Sequence, residues 1–150
     1  MQELEMINDN IFYVCSLIEF IGRKTKNHRG DIVSKLTNKQ LMNELEDAAV
    51  NHSLSFEQVS DEWIEKYKIR MGTYDTITNC SFKIPSYTSI GKVYSTLILS
   101  VDKENNSLIQ SIRDVFSSFI IDEITYFESS VYYSNPSYLY WSYKEGKLLD

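Results

Sequence analysis

Apolar residues recur along most of the chain at spacings of three and four, the period of a helix buried along one face. Ile11, Val14, Cys15, Ile18 and Ile21 form the first such stripe, and Leu17 and Phe20 widen it. Asn8 or Asp9 can cap this helix, because each offers a side-chain oxygen to the orphan amides of a first turn. Gly22 and the polar run from Arg23 to Gly30 are expected to end it, with a short turn from Asp31 to Leu36. Thr37 and Gln40 have the capping-box spacing, in which each side chain satisfies the other's backbone donor. Ser55 with Gln58 and Ser107 with Gln110 repeat it. Leu41, Met42, Leu45, Ala48 and Ala49 give the face of the second helix, and Phe56, Val59, Trp63, Ile64 and Tyr67 that of the third.

The pattern lapses between Arg70 and Pro85, where Gly72, Asn79 and Pro85 interrupt residues of extended preference, Thr73, Thr76 and Thr78. A long irregular connection over residues 70–85, with room for one short hairpin, is expected. Such stretches are uncommon and often functional, although Tyr74, Ile77 and Phe82 can simply lay this one across the helices. Ile90, Val93, Tyr94, Leu97, Ile98 and Val101 resume the helical spacing. Residues 93–101 also alternate as a strand would, but the spacing of three and four persists for twelve residues and favours a helix. After a turn from Asp102 to Asn106, a stripe from Ile112 to Val131 predicts one long helix through Phe116, Phe119, Ile120, Ile124 and Phe127. Asn135 as cap and Pro136 at the first helical position open a last helix around Tyr138 to Glu145, which Gly146 stops.

These elements predict an all-α fold, a single-domain bundle of six to seven helices spanning residues 1–150. Val14, Ile18, Leu45, Val59, Trp63, Val93, Leu97, Phe116, Ile120, Ile124 and Phe127 are its expected core. Five glycines and two prolines are few for a β-protein with many tight turns, which strengthens the helical reading. The net charge of −6 argues against general nucleic-acid binding. No stretch is long and apolar enough to span a bilayer. The opening residues are acidic where a signal peptide would be basic, and the two cysteines, Cys15 and Cys80, make no disulfide framework. A cytoplasmic protein with two free thiols is expected.

Enzymatic signatures are sparse. His28 and His52 form no zinc spacing with either cysteine, and no glycine-rich phosphate loop is present, so no cofactor, metal ligand or catalytic residue is assigned. The acidic pairs are the best catalytic candidates. Glu44 with Asp47, and Asp61 and Glu62 with Glu65, each share a helical face. Converging carboxylates of this kind hold Mg²⁺ beside a polyphosphate. The pairs resemble those of all-α nucleotide pyrophosphohydrolases, although their order is reversed and Asp61-Glu62 replaces a Glu-Glu pair. Two other clusters suit recognition. Arg23, Lys24, Lys26 and Arg29 concentrate basic charge in an acidic chain. Tyr138, Tyr140, Trp141 and Tyr143 crowd a short helix that cannot turn all of them inward, which leaves interface and core as equal readings for them.

The first half, from Phe12-Tyr-Val-Cys-Ser-Leu-Ile-Glu19 through Asn51-His52 to Asp61-Glu62-Trp63-Ile64, resembles a small helical family from low-GC Gram-positive bacteria. Its members commonly sit beside genes for toxins of the ADP-ribosyltransferase type. The resemblance implies a partner or antitoxin role and carries no catalytic residue. The expected function is therefore a non-enzymatic interaction protein, the regulatory or antitoxin member of a toxin pair, binding a protein partner or itself. A Mg²⁺-dependent nucleotide hydrolase and an acidic nucleic-acid mimic that blocks a basic partner are the alternatives.

Overall fold

The computed structural model describes residues 2–150, and every regular element among them is helical. Eight α-helices follow in order: α1 (Gln2–Thr25), α2 (Arg29–Ser34), α3 (Asn38–Asn51), α4 (Phe56–Lys66), α5 (Tyr87–Asn105), α6 (Leu108–Phe116), α7 (Ile120–Thr125) and α8 (Pro136–Glu145). One 3-10 turn, Val131–Tyr133, lies between the last two. The all-α expectation holds, and residues 93–101 are helix.

The longest two helices form the spine. Phe20 meets Tyr87 and Ser16 faces Gly91, so α1 and α5 run antiparallel. A Cβ on Gly91 would stand 2.7 Å from the Ser16 backbone, so glycine is what lets the axes approach. Around the spine, α3 and α4 pack on α1, and α6 and α8 pack on α5. The expected core residues are buried except Val93, which is half-buried against the core.

Four elements differ in their bounds from expectation. Helix α1 starts at Gln2 rather than near Asn8 and continues through Gly22 to Thr25, where Lys26 takes a left-handed backbone (φ 57°). The turn expected from Asp31 is part of helix α2. Helix α5 runs through Asp102 to Asn105, and Asn106 in the left-handed region ends it. The single helix expected over residues 107–131 is broken into α6, α7 and the 3-10 turn. Ser117 and Ser118 donate their hydroxyls to the carbonyls of Asp114 and Val115. Such local bonds compete with helix propagation. The box at Thr37 is complete, with both bonds present. Ser55 and Ser107 make only the hydroxyl half, and the Gln110 amide turns to Asp114 instead.

Candidate functional site

The basic run turns inward at Arg23 and Arg29. Glu19 and Arg29 are fully buried. Glu19 Oε1 accepts from Arg29 Nε (2.8 Å) and the Tyr94 hydroxyl (2.7 Å). Its Oε2 accepts from Arg29 Nη2 and Arg23 Nε, both at 2.8 Å. The carboxylate thus fills the four acceptor positions it has. Burial alone would raise the Glu19 pKa, but the charges and hydrogen bonds of Arg29, Arg23 and Tyr94 bring it below the ordinary carboxylate value. Burial pushes Tyr94 well above the usual phenol range, so its hydroxyl keeps its proton and donates. Gly22 makes room: a Cβ there would lie 2.4 Å from Arg29 Cδ.

The same cluster straps down the connection between α4 and α5. Arg29 Nη2 also donates to Thr76 Oγ1 (3.1 Å), and Arg23 Nη2 to the Pro85 carbonyl (2.8 Å). The backbone amides of Gly72 and Tyr74 donate to the carbonyls of Thr25 and Lys26, and the Asn27 amide bonds Arg70 O. Tyr74 stacks on His28 at 3.8 Å and its hydroxyl meets Thr125. The long connection is irregular, as expected, and no hairpin forms within it.

Arg29 is therefore corrected as a partner-binding residue: its guanidinium has no access to a second molecule. Arg23 is mostly covered and committed to Glu19 and Pro85. Lys24 bridges Glu57 and Asp61 on α4, and Lys26 lies 3.9 Å from Asp75. Arg23, Lys24 and Lys26 do line a wide cleft of about 710 Å³ with Phe20, Ile84 and Tyr87, but Glu57 and Asp75 line it too. The cluster that looked like an anion-seeking patch is largely neutralised within its own chain.

The acidic helices do not assemble a cation site. Glu44 is buried and accepts from the Tyr67 hydroxyl, with Lys66 3.7 Å away, while Asp61 turns to Lys24. Among the described residues no group of three or more His, Cys, Asp or Glu side chains is placed to hold a metal ion. Burial and the Glu44 carboxylate together raise the Tyr67 pKa.

The C-terminal aromatics remain outward in part. Leu139 and Ser142 face the core, Tyr138, Tyr140 and Tyr143 are half-buried, and Trp141 is 57% exposed. The Tyr138 hydroxyl donates to Leu149 O, and Tyr140 and Lys144 both bind Glu104 at the end of α5. Tyr140 meets Trp141 edge to face at 5.1 Å. Two adjoining hollows run along the seam between α5 and α8. One, about 220 Å³, is floored by Val93, Leu97, Pro136 and Leu139. The next, about 490 Å³, carries Ser100, Lys103, Glu104, Tyr140 and Trp141, and Pro136 belongs to both. The sequence singled out the aromatic wall of this groove but not its α5 wall, because Val93 and Leu97 read there as core and Lys92, Ser100, Lys103 and Glu104 as an ordinary solvated face.

Comparison of the chain with family models, curated proteins and solved structures returned no match. No helix of the described residues is long and apolar enough to cross a membrane.

Proposed function

We propose that this chain is a non-enzymatic protein-binding module whose docking surface is the groove between α5 and α8. The observation that carries this reading is Trp141, more than half exposed at the mouth of an apolar seam. A large aromatic held on a short, well-capped helix offers contact area at little entropic cost, which is why tryptophan commonly anchors interfaces. The resemblance of residues 12–64 favours a regulatory or antitoxin role for this chain. The test is affinity capture from the native host, with wild-type protein beside Trp141→Ala. A stoichiometric partner that wild type retains and the variant loses supports the reading. A partner held equally by both moves the docking surface elsewhere.

A further inference from the structure

The core stripe of α1 does not stop where the core stops. Ile11, Val14 and Ile18 are buried, yet Ile7 and Leu4, which continue their face at helical spacing, are 44% and 60% exposed. Residues 3–9 are all exposed. The reason is geometric. The Tyr13 hydroxyl lies 3.4 Å from Asn51 O, at the last residue of α3. Towards its start, α1 therefore outruns α3, which leaves an arm of about two turns uncovered by α3 beside the end of α5. The arm is acidic as well as apolar: Glu3, Glu5 and Asp9 form no ion pair among the described residues.

The groove between α5 and α8 has the opposite character. Its floor is apolar, and Lys92 and Lys103 stand on its α5 wall, exposed and without an ion pair among the described residues. The acid in the wall, Glu104, is already held by Lys144 at 2.6 Å. From Lys92 to Glu104 the wall runs ~18 Å at 1.5 Å per residue, long enough for an arm of ~9 Å. Gly91 is level with Ser16, so Leu4 and Lys103, each twelve residues further on, reach the same end of the bundle.

From this complementarity we infer that the occupant of the groove is the α1 arm of a second copy of the chain. Leu4 and Ile7 seat against Trp141 and the apolar floor, and the arm's carboxylates face Lys92 and Lys103. Reciprocal exchange of two arms closes a two-fold dimer with the same patch used by both partners. The inference rests on the groove being the docking surface, and it names the chemistry of what docks there.

Sedimentation velocity across a concentration series, with the full chain, is the test. A monomer–dimer equilibrium is expected, weaker at high salt because the charged contacts lie at the rim. Leu4→Asp with Ile7→Asp changes only side chains that the single chain leaves exposed, so its circular dichroism should be unaltered. Its dimer dissociation constant should rise at least about tenfold. Lys92→Glu with Lys103→Glu should weaken association likewise, and adding Glu3→Lys with Glu5→Lys should restore it. A monomer at every concentration overturns the inference, as does a dimer that the arm variant leaves unchanged. In either case, a partner lost by Trp141→Ala would keep the docking surface and exclude only the second copy.

Discussion

Glu19 stands within an apolar stripe, between Ile18 and Ile21, where an unpartnered charge would be intolerable. Its four hydrogen bonds make it tolerable. Removing one member of a buried pair strands the other, so Glu19→Gln is expected to cost about 3–5 kcal/mol. Urea titration at neutral pH measures it. The pH dependence follows from the direction of the shift. Because the Glu19 pKa is depressed in the folded state, its contribution is fully present above the unfolded carboxylate pKa of roughly 4.3. It is lost as pH falls through the folded value. Wild type should thus lose more stability on acidification than Glu19→Gln; equal slopes would remove Glu19 from the acid response. A carboxylate on an otherwise apolar helical face was a legible sign that a cation must meet it. That the cation is Arg29 was not legible, since basic residues after a helix are ordinarily solvated and complement its dipole.

Helix ends show the division between what local sequence decides and what packing decides. Thr37, Ser55, Ser86, Ser107 and Asn135 each cap a helix by accepting from a first-turn amide. Those at Thr37, Ser55, Ser107 and Asn135 were readable because the capping oxygen and its amide are near neighbours. Thr37→Ala removes the hydroxyl half of the complete box, leaving the backbone amide that donates to Gln40, and should cost about 1 kcal/mol. Gly22 is the opposite case. It reads as a helix terminator, yet α1 passes through it because the residue is small rather than flexible. Gly22→Ala keeps the helix and improves its propensity, but its Cβ must displace the Arg29 side chain, which three hydrogen-bond partners hold. The expected outcome is a loss of about 1–3 kcal/mol. A gain in melting temperature would mean that Arg29 relaxes at no cost. The break between α6 and α7 belongs with Gly22: the apolar stripe continues past Ser117 into α7, so the spacing alone does not mark it.

At the scale of the whole molecule, the buried polar cluster and the long connection act as one unit. Residues from α1, α2, α5 and the connection meet at Glu19 and Arg29, so opening any of them exposes a charge. The bundle should consequently unfold as a single cooperative transition, with no early release of the 67–86 segment. The two cysteines report on this from different depths. Cys15 lies on the α1 stripe facing the core, and burial pushes its thiol pKa far up; Cys80 sits in the connection, partly exposed, with its sulfur 3.6 Å from Phe82 O. The thiolate is the reacting species, so native protein should offer Cys80 to a thiol reagent promptly. Cys15 should wait for global opening, because no local fluctuation frees it without breaking the spine of α1 and α5. Denatured protein should titrate as two thiols. Glu19→Gln, by lowering global stability, should accelerate Cys15 modification under conditions where reclosing outpaces reaction, and should leave Cys80 almost unchanged. Equal acceleration of both would show that the connection shares in the opening and has no exposure of its own. Acceleration of Cys80 alone would show that the strap can detach while the bundle stays closed, contrary to the cooperativity expected from the shared Arg29 contacts.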